Sequence, residues 1–235
     1  MKLYNNDYLK VLSEITDGSV DLILTDIPYN ISRDSGLAGY DEKNKRNRIG
    51  LDFGEWDHNF DESEMVNLTR VLKNGGSLVT FCAFEQIGIL IETFKELKLK
   101  DKLIWKKTNP FIKNKERRYI SNIEVCLWFV KGNGKWTFNR QNSNYESCVL
   151  SYPSESGGGF KRYHPTQKNL KLVTYLMDIH SNKNDVVLDP FMGGGTTGVA
   201  CASSDRKFIG IELDKEYFET AKNRIEDVIG IYKFK

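Results

Sequence analysis

The stretch 186-VVLDPFMGGGTTGVA-200 reads as a buried strand, a glycine-rich turn and the opening of a helix. Val186, Val187 and Leu188 form the apolar run, Asp189 ends it, and Gly193, Gly194 and Gly195 precede the helix start at Thr196. Glycine lets the main chain approach a ligand closely, and a helix start presents unpaired N–H groups to it. A second strand over residues 208–211 ends in Glu212, whose carboxylate is placed to take both hydroxyls of a ribose. Gly193, Gly195 and Gly198 also satisfy G-x-G-x-x-G, so a dinucleotide site of an oxidoreductase is a second reading. No G-x-x-x-x-G-K-[ST] occurs, which argues against a P-loop.

Outward from this unit, strand-like runs alternate with helical periodicity, the mark of an α/β sheet covered by helices. Residues 20–25 read as a strand. Asp61 and Glu64 resemble a capping box for a helix carrying Met65, Leu68 and Leu72, which Asn74-Gly75-Gly76 should stop. A strand is expected over 77–82, then a helix with Ile87, Leu90, Ile91, Phe94 and Leu97 on one face. Further strands are expected at 103–105 and 123–130. Thr166 reads as the N-cap of a helix bearing Leu170, Val173 and Met177. A last helix from Asp214 turns Tyr217, Phe218, Ala221, Ile225 and Val228 inward. Two irregular segments, 31–60 and 132–163, exceed ordinary connection lengths and are candidates for function.

A chain of 235 residues with 40% hydrophobic and 12% aromatic content suits one globular domain spanning 1–235. No apolar run approaches the roughly 20 residues of a membrane span, and no signal-peptide core is visible. Cys82, Cys126, Cys148 and Cys201 are scattered, which fits free thiols in a reducing cytoplasm and no metal site. The net charge of +2 is unevenly spread: nine Lys/Arg lie between Lys98 and Arg118 against Asp101 and Glu116. The segments EKNKRNR (42–48) and KRYHPTQKNLK (161–171) add further cations, whereas 212–227 is acid-rich. Such segregation suits a polyanion, although solvated loops would also carry it.

At the end of the first expected long strand stands 24-LTDIPYNIS-32, an acid followed by a proline and a tyrosine. A turn needs the proline but not the tyrosine. Asp189-Pro190-Phe191-Met192-Gly193-Gly194-Gly195-Thr196 resembles the D-P-F-x-G-x-G-T loop that binds S-adenosylmethionine in DNA amino-methyltransferases, and Asp26-Ile27-Pro28-Tyr29 resembles their catalytic D-P-P-Y. The catalytic motif comes first, then His164-Pro165-Thr166-Gln167-Lys168, then the cofactor loop, which is the permuted order of the group called β. Residues 5–12, 19–23, 75–77 and 105–110 also resemble that group, so the likeness covers nearly the whole chain.

That resemblance implies a Rossmann-like methyltransferase fold, a mixed and mostly parallel sheet with helices on both faces. It implies S-adenosylmethionine as cofactor, with Glu212 on its ribose, Asp7 near its adenine, and Asp189, Phe191, Gly193, Gly195 and Thr196 shaping the pocket. Thr166 and Lys168 would lie near the methionine carboxylate. The target is the exocyclic amine of a flipped base in DNA, with adenine N6 expected from an acid at position 26 and cytosine N4 as the alternative. The lone pair of that amine is delocalised into the ring. Asp26 and the carbonyl of Ile27 would localise it by accepting its N–H groups, while Tyr29 stacks on the base. Residues 31–60 and 132–163 would contact DNA, and a homodimer is a common assembly in the group. Proline is replaced by Ile27, which keeps the useful carbonyl, so Ile27→Pro is expected to be close to neutral.

Overall fold

The computed structural model describes residues 1–29, 60–110, 116, 119–155, 163–164 and 166–233. Among these residues eight strands form one sheet: β1 (Lys2–Asn5), β2 (Val20–Asp26), β3 (Leu72–Cys82), β4 (Leu97–Lys107), β5 (Ile123–Lys131), β6 (Val149–Tyr152), β7 (Val186–Asp189) and β8 (Lys207–Glu212). Their order is β1-β8-β7-β2-β3-β5-β4-β6, and only β5 runs against the rest. The sheet is therefore mixed and mostly parallel, as the sequence led one to expect.

Helices cover both faces because successive strand residues point to opposite sides. Leu22 and Leu24 pack with α4 (Leu170–His180), α5 (Thr196–Ala202) and α6 (Lys215–Lys233). Ile23 faces α1 (Tyr8–Glu14), α2 (Leu68–Val71) and α3 (Ile87–Thr93). A register shift between Val20 and Leu22 turns Val20 to the same side as Ile23. Burial of these two apolar layers, at roughly 25 cal/mol per Å² of apolar surface, is the main stabilising contribution.

Several boundaries differ from the sequence reading. The helix expected through Leu72 is a 3-10 turn, Glu62–Asn67, and the four-residue α2; Leu72 already belongs to β3. Asp61 caps the turn by accepting from the Ser63 N–H at 2.9 Å. Asn74-Gly75-Gly76, which looks like a helix stop, lies within the strand. At Gly75 φ is 86°, and a Cβ would stand 2.6 Å from the Lys135 carbonyl oxygen. The glycine thus serves a close main-chain crossing that local sequence does not reveal. Asn169, not Thr166, caps α4, its side chain accepting from the Leu172 N–H at 3.1 Å.

The carboxyl ends of β1, β2, β7 and β8 share one edge of the molecule, where an open α/β sheet forms its ligand crevice. Residues 132–139 run along the opposite edge, since β5 delivers the chain beside the start of β3. There the Asn139 N–H donates to the Ile179 carbonyl at 2.8 Å, and its side chain donates to the carbonyls of Asp178 and Ser181. Residues 149–152, expected as loop, form β6 on the sheet edge. Of the expected DNA segment 31–60, all but Phe60 lies outside the described residues, as do Lys113, Lys115, Arg117, Arg118, Lys161 and Arg162.

Candidate active site

One cleft at the carboxyl ends of the strands is lined by Asp7, Asp26, Ile27, Pro28, Thr166, Lys168, Asp189, Phe191, Gly193, Thr196 and Glu212. Residues far apart in the chain meet here because β2, β7 and β8 are adjacent and parallel. Two expected site residues, Tyr29 and Gly195, are not on its wall. Gly195 is the N-cap of α5 at φ 78°, and a Cβ there would come 2.8 Å from Ala221 Cβ. Its role is to let α5 lie against α6. Gly198 likewise faces Ile225 and Phe208.

In the half of the cleft beside the glycine turn, Glu212 is buried. Its carboxylate accepts from the Gly193 N–H at 2.8 Å and the Asp214 N–H at 2.9 Å. Each oxygen thus makes one bond and keeps a free lone pair, the pair of acceptors that a ribose diol needs. Burial pushes the Glu212 carboxyl up to about 7, against the pull of those N–H groups. Asp189 is also buried. It accepts from the Thr25 hydroxyl at 2.7 Å and the Phe191 N–H at 3.2 Å, and burial raises it to about 6. Phe191 sits against Tyr8 and Phe60 at centroid distances of 4.8 and 5.2 Å. Asp7 caps α1, accepting from the N–H groups of Leu9 and Lys10 at 3.0 and 3.3 Å.

In the other half, Asp26 ends β2 and Lys168 pairs with its Oδ2. Among the described residues Asp26 Oδ1 is buried and has no hydrogen-bond partner. An acceptor left unsatisfied in this way costs free energy until a donor arrives. Lys168, only 6% exposed, is committed to Asp26 and to Glu124, whose Oε2 lies 3.2 Å away. Burial holds Asp26 above the ordinary aspartate range, opposed by Lys168 and by the Tyr29 hydroxyl and reinforced by Glu124. The Tyr29 hydroxyl is 3.5 Å from Glu124 Oε2, and Lys168 Nζ stands 5.1 Å from the Tyr29 ring.

Residues 20–223 match the family described as DNA methylase. The chain belongs to that family. A Type II methyltransferase of Lactococcus lactis subsp. cremoris, M2.LlaDCHI, is 31% identical over 95% of this chain and 88% of its own. Another, M.HinfI of Haemophilus influenzae, is 31% identical over 96% of this chain and 68% of its own. Among solved structures, the M1.HpyAVI–SAM complex is 33% identical with a TM-score of 0.73, covering 95% of this chain and 98% of that one. The PvuII cytosine-N4-specific DNA methyltransferase shares the fold at 20% identity and a TM-score of 0.71, over 98% of this chain and 90% of its own.

The protein is thus a DNA amino-methyltransferase that uses S-adenosylmethionine, and the oxidoreductase reading of the glycines falls. Its two last glycines face α6 and β8 rather than a ligand. Sequence reasoning missed Glu124, which has no motif around it, and gave Lys107 no place in the site although it lies in the resembling stretch 105–110. It also missed Gln86, whose Nε2 donates to the Pro28 carbonyl at 2.7 Å and to Glu62 Oε1 at 2.8 Å. Gln86 thereby fixes the turn after Asp26. At Ile27 the structure adds a stabilising role to the carbonyl that the sequence singled out. The Ile27 side chain is 2% exposed in the core, and its N–H donates to the Phe81 carbonyl at 3.4 Å. Among the described residues no helix is long and apolar enough to cross a membrane.

Proposed function

We propose that this DNA methyltransferase acts on the N6 amine of adenine. Asp26 accepts one amine N–H through Oδ1 and the Ile27 carbonyl accepts the other, so the nitrogen lone pair is directed toward the incoming methyl group. The observation that carries this reading is the buried, unpartnered Oδ1 at the cleft, an acceptor held ready for a donor. Preorganised acceptors of this kind act where positive charge develops on nitrogen, in a site shielded from water. An acid at this position, rather than serine, favours adenine over cytosine within the resembled group.

Glu212 binds the cofactor ribose, while Phe191 and Gly193 line the pocket for its remaining parts. Asp7 and Asp189 shape that pocket through the cap of α1 and the turn after β7, and Thr196 opens α5 beneath it. Thr166 lines the cleft, and Lys168 is placed on Asp26 rather than on a free carboxylate. Bound there, S-adenosylmethionine supplies an electrophilic methyl group. Tyr29 stacks on the extruded base, which cannot be reached within a duplex. DNA contacts are assigned to residues 31–60 and 132–163 and to the basic stretch between Lys98 and Arg118.

The test is transfer of labelled methyl from S-adenosylmethionine to unmethylated DNA, with the product nucleosides identified by mass spectrometry. N6-methyladenine is expected, and N4-methylcytosine overturns the assignment. Asp26→Ala should lower transfer by at least about 10²-fold, the usual cost of one preorganised polar group, with cofactor binding retained.

A further inference from the structure

Behind the acceptor oxygen of Asp26 lies a chain of charges that the catalytic turn does not contain. Lys168 Nζ pairs with Asp26 Oδ2 and stands 3.2 Å from Glu124 Oε2. Lys107, the last residue of β4, places its Nζ 2.6 Å from Glu124 Oε1. The four groups alternate in sign, and none is more than 21% exposed. Glu124 reaches this position because β5 runs antiparallel between β3 and β4, bringing its early residues to the catalytic edge.

An ammonium carries three donors on a flexible stem. Beside a single carboxylate it can swing to bridge both oxygens, which would cover the very acceptor the amine needs. With Glu124 holding a second donor, Lys168 is turned to the rear oxygen and Oδ1 stays open. The same Glu124 carboxylate lies 3.5 Å from the Tyr29 hydroxyl, so it links the amine acceptor to the stacking ring.

We propose that Glu124, braced by Lys107, is a positioning residue for methyl transfer: it fixes Lys168 on Asp26 Oδ2, leaves Oδ1 free for the amine, and holds Tyr29. This rests on the reading of Asp26 as the amine acceptor. The titratable or charged groups around Asp26 are Lys168, Glu124 and Cys126 on β5, Cys82 on β3, Asp189 on β7 and Tyr29. Glu124 places a like charge near Asp26, so removing it should ease ionisation of Asp26. Removing Lys107 withdraws a cation and should do the reverse.

Single-turnover methyl transfer to DNA, measured against pH, separates positioning from general destabilisation. Glu124→Gln should lower the rate constant by about tenfold with cofactor Kd within twofold of wild type, and move its acid limb to lower pH. Lys107→Met should lower the rate less and move the acid limb to higher pH. Loss of packing alone would not shift the two limbs in opposite directions. Unmoved limbs, shifts in the same direction, or rates within twofold of wild type for Glu124→Gln overturn the proposal. If Glu124→Gln does not fold, the Lys107→Met limb decides: an upward shift supports the proposal and a fixed limb refutes it. Asp26→Ala run alongside distinguishes the two levels. Full activity in that variant removes the acceptor reading itself, whereas its inactivity beside a neutral Glu124→Gln removes only the role of Glu124.

Discussion

Binding of the cofactor ribose should depend on pH through Glu212. Its carboxyl is held at about 7 because burial penalises the charge more than the Gly193 and Asp214 N–H groups stabilise it. For an acid with a raised value, the carboxylate is present above that value and is lost as pH falls through it. A diol donates two hydrogen bonds, and only the carboxylate offers both oxygens as acceptors. If the ionised form alone binds, the apparent Kd scales as one plus the ratio of proton concentration to the acid constant. With a value of about 7 that factor is about 1.1 at pH 8 and about 11 at pH 6, an expected tenfold weakening or about 1.4 kcal/mol. Adenosine is the suitable probe in isothermal titration calorimetry, since it keeps the ribose and has no amino-acid group to titrate. Glu212→Gln should bind more weakly and lose most of this dependence. A flat wild-type Kd between pH 6 and 8, or an equal slope in Glu212→Gln, would refute the reasoning.

Gly195→Ala should cost about 2–4 kcal/mol, since it combines a positive φ with a Cβ 2.8 Å from Ala221 Cβ. Thermal unfolding should fall by roughly 5–10 °C for a domain of this size, while Gly230→Ala, with open space around its Cβ, should not lower it. Ile27→Pro removes a core side chain and a 3.4 Å main-chain hydrogen bond, for a loss of about 1–2 kcal/mol. Calorimetry should show that loss while transfer stays within a few-fold of wild type, because the carbonyl at position 27 remains; a large loss of rate at unchanged stability would count against this account.

The strand–turn–helix unit at 186–200 was legible because its signals are local: an apolar run, an acid, three glycines and a helix start in order. The same holds for Asp26 at the tip of β2 and for Glu212 at the tip of β8. Boundaries were less legible where a distant segment decides them. Asn74-Gly75-Gly76 has the composition of a helix stop, yet it lies within a strand because the 132–135 turn crosses Gly75. Thr166 has the chemistry of a cap, yet Asn169 is the residue whose side chain reaches the free N–H groups of α4.

Lys168 shows the same division within the site. Its motif marks it as functional, but a lysine stem reaches many partners, and nothing nearby in sequence names Asp26 and Glu124 as the two it meets. Read alone, the sequence determined the α/β class and singled out the glycine loop and Asp26, because each depends on residue types at short fixed spacings. Tertiary structure alone decided which oxygen of Asp26 is open, that Gln86 meets the Pro28 carbonyl and Glu124 meets Lys168, and that Asn139 packs on the end of α4 at the far edge. Those outcomes depend on strand order and on one antiparallel strand, which set residues far apart in the chain within hydrogen-bonding distance.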